Sequence, residues 1–539
     1  MPNSHNLKVT NMDFTMLIQW LLTSLATLVA FVLIWYSATS SSTRKINKTA
    51  PVAAGALPIV GHLHMLMGRE LPHQLLSNMA DKYGPAFMMK YGSQPALVVS
   101  SLKLAKECFV HNDRAVFKRP RSKALKNLTY DQASFGFAPY GPLWVEMRKV
   151  AKTNLLSNQR LQMQRHVRAS EVDAFIKELY DLWSSNSNNN KGAPLLVEMN
   201  KWFEELALNV VTRMVSGKRH IGSKARRSED SESMHYKKVV VDATLLTAKL
   251  VVSDFFPSLG LVDYLQGDES SIKGTSKELD AILATWVEEH RHKKVSGSED
   301  DEQDFIDLTL SMIDQTQHQG ADVDTFIKSM CVGMIFGGSD STSVALTWAL
   351  SILMNNRPVL RKAREEIDRQ VGTDRKVNDL DVLKLDHLKA IIKESMRICL
   401  VGPLLERVTV EDCEIGGYHL KTGSRVIVNI WKMQHDPNLW PDPFEFRPER
   451  FLTTNANVEL RGQHYELLPF GAGSRICPGI TFALELIQLT LARLIHGFEL
   501  GTPMDADVDM TETSSVTNYR ATPLEILLTP RLDPKLYDY

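Results

Sequence analysis

The chain has 539 residues, 44% of them hydrophobic and 23% charged, an ordinary globular composition with length enough for a large core. Its 62 Lys and Arg against 63 Asp and Glu give a formal net charge of −1, without the basic excess of a nucleic-acid-binding protein, and no nucleic-acid partner is expected. The five cysteines, Cys108, Cys331, Cys399, Cys413 and Cys477, are scattered and form no CxxC pair, which argues against a zinc ribbon or a thioredoxin-like site and fits a reducing compartment.

Phe14 to Tyr36 is a nearly uncharged apolar run. It is long enough for one transmembrane helix, which needs roughly 20 residues. Arg44, Lys45 and Lys48 follow it, so the positive-inside rule places the C-terminal bulk in the cytoplasm. A cleaved signal peptide would have a shorter apolar region with basic residues in front of it. The expected organisation is therefore an N-terminal region over 1–36 with a membrane anchor at about 14–36, a polar and Pro/Gly hinge over 37–61, and one catalytic domain over 62–539.

Ala96-Leu-Val-Val-Ser100 reads as a short buried strand after Pro95. From Leu102 to Leu350 the apolar spacing is mostly helical. Three polar stretches, Ser184–Gly192, Ile221–Met234 and His292–Asp304, read as exposed connectors. A long apolar helix is expected over Asp322–Met354, and it carries Gly337 and Gly338 in its middle. Two mid-helix glycines cost about 1 kcal/mol each relative to alanine, so they imply a close approach to some ligand. Asp340 and Ser341 then set an acid beside a hydroxyl, a pair suited to proton delivery. Leu388–Ile398 reads as a helix with Glu394 and Arg397 on one face, and Trp144 and Arg148 share a face at i, i+4 spacing.

Past Leu400 the pattern changes. Gly417–Leu420 and Ser424–Asn429 read as strands, Pro441, Pro443 and Pro448 exclude regular helix, and a last helix runs from Gly479 to about Gly497. Thr511–Pro530 reads as a small hairpin with Glu525–Leu528 as one arm. The fold class expected is mainly α with minor β.

Phe470-Gly-Ala-Gly-Ser-Arg-Ile-Cys-Pro-Gly479 is the most informative stretch. Its glycines permit tight turns and close approach of a flat ligand, and backbone N–H groups at a helix start tune a thiolate's electron donation. Arg475 supplies a cation two residues before Cys477.

The segment resembles the FxxGxRxCxG signature of the cytochrome P450 family through Phe470, Gly473, Arg475, Cys477 and Gly479. The resemblance implies haem b with Cys477 as its axial thiolate. Phe470, Gly473 and Gly479 would shape the cradle, and Trp144, Arg148 and Arg475 would hold the propionates. It also implies that Glu394, Arg397 and Arg450 form the family's structural triad. Gly337 to Thr342 is similar to the family's [AG]-G-x-[DE]-T-[TS] pattern, which makes Asp340, Ser341 and Thr342 the oxygen-activating set, with serine at the usual threonine position. Cys399 and Leu400, and Leu405–Val408, also depart from the family's habit after the triad helix. Met334, Phe336, Val401, Leu404 and Val516 are the expected substrate contacts, within wider walls at 119–138, 239–247, 401–405 and 514–517.

By this resemblance the chain is similar to plant microsomal monooxygenases that hydroxylate or oxidatively demethylate lipophilic metabolites such as alkaloids, flavonoids, lignans, coumarins or terpenoids. A single-pass endoplasmic-reticulum location facing the cytoplasm is implied, with O2 as co-substrate. No flavin or nicotinamide fingerprint is present, so electrons are expected from NADPH through a separate cytochrome P450 reductase. The alternative weighed is a haem-thiolate isomerase or dehydratase working without O2 or reductase.

Overall fold

The computed structural model describes residues 23, 24, 27 and 49–538, except 93, 191, 221, 223–230, 250, 297–302, 314–322 and 514. The expected anchor over 14–36 therefore lies almost wholly outside the described residues.

Helices dominate. The longer ones are labelled α1 (Pro72–Tyr83), α2 (Pro142–Val150), α3 (Arg165–Asn190), α4 (Met199–Ser216), α5 (Ser231–Ala248), α6 (Asp268–Val295), α7 (Val323–Gly338), α8 (Asp340–Met354), α9 (Arg357–Val371), α10 (Asp386–Ile398) and α11 (Ile480–Gly497). The strands are β1 (Ala86–Tyr91), β2 (Gln94–Val99), β3 (Leu195–Glu198), β4 (Leu404–Val408), β5 (Cys413–Ile415), β6 (Tyr418–Leu420), β7 (Arg425–Asn429), β8 (Phe498–Gly501) and β9 (Glu525–Pro530). They form a four-stranded sheet in the order β1-β2-β7-β4, a three-stranded sheet β3-β9-β8, and the pair β5-β6.

Among the described residues one helix, α11, is long and apolar enough to cross a membrane, and 72% of it is buried within the protein. It is the central core helix: apolar on nearly every side, it packs against α3, α8, α9 and α10. The mainly helical class with small sheets stands as expected, and the strand near Ala96, those at 418–420 and 425–429, and the last helix lie where the sequence pattern puts them.

Three local expectations need correction. The Ser/Asn-rich stretch from Ser184 is not a connector but prolongs α3 to Asn190. The expected Asp322–Met354 helix is divided at Ser339 into α7 and α8. The Ser339 hydroxyl bonds the Ile335 carbonyl (2.6 Å) and the Ser341 hydroxyl bonds the Gly337 carbonyl (2.7 Å). Such back-bonding hydroxyls compete with the main-chain ladder just where two glycines already weaken it. The C-terminal arm is a strand, but its partners are distant in sequence. β9 pairs antiparallel with β3 (Leu195 opposite Leu528) and with β8 (Leu500 opposite Leu528), while the expected hairpin is reduced to an isolated bridge between Glu512 and Arg520.

Within the Pro/Gly-rich stretch, Ala53 N–H bonds Met88 O and His62 N–H bonds Lys90 O, so these residues lie along β1.

Candidate haem-thiolate site

The Cys477 loop is built from backbone that only glycine adopts easily. Gly471 and Gly473 have φ of +72° and +71°. A Cβ on Gly473 would stand 2.3 Å from Asp113 Oδ1 and 3.1 Å from the Phe109 carbonyl. Asp113 needs that proximity because its carboxylate accepts the Ser474 N–H (3.1 Å) and hydroxyl. Gly473→Ala is therefore expected to destabilise the protein by roughly 2–3 kcal/mol, from left-handed strain plus the clash. Asp113→Ala in the same chain should recover only the clash component, and thermal unfolding of single and double variants checks this.

Within the loop the Cys477 N–H bonds the Phe470 carbonyl (3.0 Å), closing the turn that presents the sulfur. Gly479 lies beside it, its Cβ position 3.8 Å from the sulfur. Burial pushes the thiol pKa up, while the Gly479 backbone hydrogen bond and the charges of Arg148 and Arg119 pull it down. These contacts partly offset the cost that burial sets on a thiolate.

A cluster of buried guanidinium groups surrounds this loop. Arg475 donates to the carbonyls of Phe117 (2.7 Å), Gly136 (3.2 Å) and Ala138, and lies over the Phe117 ring at 4.0 Å. Its pKa is pushed down to about 9, first by burial and then by Arg119 and Arg148. Arg148 donates to the Ile476 carbonyl from the helix face that also carries Trp144, whose indole N–H bonds Phe135 O (3.1 Å). Arg407 is pushed well below its usual range by burial, Arg119 and Arg475, with only Asp113 opposing. Buried Nε atoms of Arg119 and Arg148 have no hydrogen-bond partner. Several buried cations with one nearby carboxylate are short of anions. Two propionates and the Cys477 thiolate would supply that negative charge, so the donor set fits haem. Arg119 opens the expected 119–138 wall and Arg407 lies in the Leu405–Val408 stretch, but no spacing in the sequence marks either as part of a cationic cluster.

Glu394, Arg397 and Arg450 converge in the interior, at 0%, 0% and 4% exposure. Arg397 grips Glu394 in a two-point pair (2.7 and 2.9 Å), and Arg450 Nε reaches Glu394 Oε1 at 3.0 Å. Each guanidinium also donates to carbonyls of the 434–445 stretch. Glu366 of α9 accepts the N–H groups of His387 and Leu388 and so caps α10. Gln434, unremarked in the sequence, links this network to the Cys loop: its amide donates to Arg397 O (2.9 Å) and accepts from Leu468 N–H (2.8 Å).

On α7 and α8, Gly333, Gly337 and Ser341 recur every four residues and share one face. A Cβ on Gly333 would lie 2.6 Å from the Phe135 ring, whereas one on Gly337 meets nothing within 4 Å, although this helix is otherwise mostly buried. Gly337 therefore borders open space, with the Ser341 hydroxyl one turn further along. Thr342 does not share that face. It is 2% exposed and follows Gly338, whose Cβ position is 2.9 Å from Val211 of α4, and its buried hydroxyl has no partner. Asp340 turns toward the C-terminal segment, accepting from Tyr519 Oη (2.8 Å) and Thr517 Oγ1 (3.1 Å). Burial raises its pKa, against those two hydrogen bonds.

The expected substrate contacts are dispersed. Met334 is buried in the main core and Phe336 packs half-buried against it. Val401 is half-buried, and its carbonyl accepts the Asn518 N–H (2.8 Å). Val516 is 65% exposed. Leu404 packs with Leu63, Phe87, Val98 and Ile427 on one face of the sheet. Its neighbour Leu405 packs on the other face and touches Gly471 of the Cys loop at 3.5 Å from the Cβ position. Period-two alternation thus makes Leu405, not Leu404, the residue facing the loop.

Residues 51–527 match the sequence profile of the family described as Cytochrome P450. The chain is 51% identical to protopine 6-monooxygenase of Eschscholzia californica, over 98% of this chain and 100% of that protein. It is 45% identical to methyltetrahydroprotoberberine 14-monooxygenase of Papaver somniferum (97% and 98% covered). Strychnine-10-hydroxylase of Strychnos nux-vomica is 46% identical (91% and 93% covered). A solved zebrafish cytochrome P450 with progesterone superposes with a TM-score of 0.71 at 25% identity, over 86% of this chain and 100% of that one.

Proposed function

We propose a specific reaction for this chain, which belongs to the cytochrome P450 family and is a monooxygenase: hydroxylation of a polycyclic, lipophilic plant metabolite, with an alkaloid as the first class to test. The near full-length likeness to protopine 6-monooxygenase carries the choice of class. The three relatives above are named as monooxygenases and hydroxylases, which favours this reading over the isomerase alternative. Electrons would come from NADPH through a separate reductase, at the endoplasmic-reticulum membrane, with the chain anchored by its apolar run at 14–36. The charge-starved arginine cluster supports Arg148 and Arg475 as propionate ligands and Cys477 as the axial ligand.

Haem, when bound, supplies the activation of O2 and the oxidation of the substrate C–H bond. The protein's own residues hold the substrate, exclude water and deliver protons. Gly337 leaves room beside the helix, and Ser341 presents a hydroxyl there. Asp340, one residue earlier, carries a carboxyl whose proton affinity is raised by burial. Serine lacks the methyl that would fix χ1, so its hydroxyl swings more freely than a threonine's. Asp340→Asn is expected to lower kcat at least about tenfold while the haem is retained, since a positioned proton donor contributes about a hundredfold or more. Ser341→Ala should instead lower the product formed per NADPH consumed, and peroxide release measures the difference. The substrate class is tested by titrating protopine and related alkaloids against the holoenzyme and following the haem spin shift. A shift followed by NADPH-dependent product supports the proposal, and no response to any alkaloid while another metabolite class gives both refutes it.

A further inference from the structure

We infer that Tyr519 and Thr517 are positioning residues: their hydroxyls dock the ionised Asp340 carboxylate on the C-terminal segment, away from Ser341, and this dock must open for Asp340 to deliver a proton. The inference rests on the reading of Asp340 as the proton source of the site.

The segment before β9 runs alongside α8 and is bonded to it at three levels. Just past the end of α8, the Asn355 side chain exchanges two hydrogen bonds with the Val508 backbone (2.8 and 2.7 Å). Midway, the Trp348 indole N–H bonds the Asn518 carbonyl (2.7 Å). At the first residue of α8 both Asp340 oxygens are taken, one by the Tyr519 hydroxyl at 2.8 Å and the other by the Thr517 hydroxyl at 3.1 Å. Asp340, Trp348 and Asn355 fall about two helical turns apart, so the segment follows one side of the helix. It is fixed from behind as well, where the Asn518 N–H bonds Val401 O (2.8 Å) and its side-chain amide bonds Leu400 O (3.1 Å). The Ser341 hydroxyl lies about 100° further around the helix. There it bonds the Gly337 carbonyl, and among the described residues no hydrogen bond joins it to the Asp340 carboxyl.

The dock favours the charged form. A hydroxyl on each oxygen stabilises the anion, and both oppose the rise that burial gives the Asp340 pKa. Tyr519 stays a donor, because burial and then the Asp340 charge lift its phenol above the ordinary range. The first residue of a helix is also a favourable place for negative charge. Glu204 of α4 feels the Asp340 charge, while among the described residues no charged group on α9, α10 or α11 shifts Asp340. Docked, the carboxylate has no proton to give and points away from the hydroxyl it must serve. Released, it takes a proton from water and passes it to the Ser341 hydroxyl, which gives up its own toward the site. Only O–H bonds form and break.

The test measures product formed per NADPH consumed against pH, for holoenzyme with reductase and the best substrate of the alkaloid titration. The variants are Tyr519→Phe, Thr517→Val, Thr517→Ser and Asp340→Asn. A proton donor works below its pKa and fails as pH rises through it, so the wild-type ratio should fall along an alkaline limb. Losing a hydrogen bond to the charged form raises the pKa. The limb should therefore move up by about one pH unit in Tyr519→Phe and in Thr517→Val. Thr517→Ser keeps the hydroxyl and should keep the wild-type limb, and Asp340→Asn should lack the limb. KM should stay within about twofold in the Tyr519 and Thr517 variants, because the Asn355, Trp348 and Asn518 bonds still hold the segment. A purely structural role for the two hydroxyls would leave the limb in place. An unmoved limb in both Tyr519→Phe and Thr517→Val, with Asp340→Asn lacking it, would overturn the inference and leave the Asp340 reading intact. A wild-type profile in Asp340→Asn would overturn both.

Discussion

Cys477→Ala is expected to abolish the thiolate-type spectrum of the reduced, carbon-monoxide-bound protein and all NADPH-dependent product formation. Among the described cysteines, Cys108, Cys331 and Cys399 are buried, and burial holds their thiols well above the ordinary range. Cys413 is less buried, and burial followed by the charges of Glu411 and Asp412 beside it pushes its thiol up to about 11. Only Cys477 combines burial with two nearby arginines and a backbone hydrogen bond that favour the charged sulfur. A metal ligand must be a thiolate, so no other cysteine can substitute. The variant should remain folded, because the turn is closed by the backbone bond from the Cys477 N–H to the Phe470 carbonyl, which alanine keeps. An unchanged spectrum would remove Cys477 from the site.

Glu394→Gln is expected to be more damaging to the fold. The carboxylate is fully buried and accepts hydrogen bonds from Arg397, Arg450 and the Arg447 N–H. Removing its charge leaves two buried guanidinium groups uncompensated, a loss of about 3–5 kcal/mol. Set against a total stability of about 5–15 kcal/mol, that is enough to empty the native state or prevent haem retention at growth temperature. An exposed pair such as Lys218 with Glu289 contributes about 0–1 kcal/mol, and Lys218→Ala serves as the control. Arg397→Lys should fail nearly as badly, because an ammonium cannot reproduce the two-point contact with Glu394 while also reaching the carbonyls of Gln434 and Pro443. Soluble yield and haem content per protein report both.

The chemistry was legible where it is local. Phe470 to Gly479 sits within ten residues, and Glu394 with Arg397, or Trp144 with Arg148, within one helical turn, so spacing reveals them. Helices with strong apolar periodicity and the strands near Ala96 and Val426 followed for the same reason. What escaped was non-local. Gln434 and Tyr519 have no neighbours in sequence that mark them, and each is defined by partners brought together only by the fold. β9 reads as a strand, yet nothing in Glu525–Pro530 names β3 as its partner. Leu404 and Leu405 are both leucine, so alternation alone gives no sign of which face is which. Thr342 sits beside Ser341 in the motif but about 100° around the helix from it, and this angle sends its hydroxyl into the core.

The central claim, that the chain is an O2-dependent monooxygenase, is tested most directly by oxygen labelling. The holoenzyme, a plant cytochrome P450 reductase, NADPH and the responding alkaloid are incubated under 18O2 in unlabelled water. The product should gain one hydroxyl oxygen, labelled with 18O, only when NADPH is present. Product formed without NADPH or O2, or product whose new oxygen comes from water or from a supplied hydroperoxide, would contradict the account.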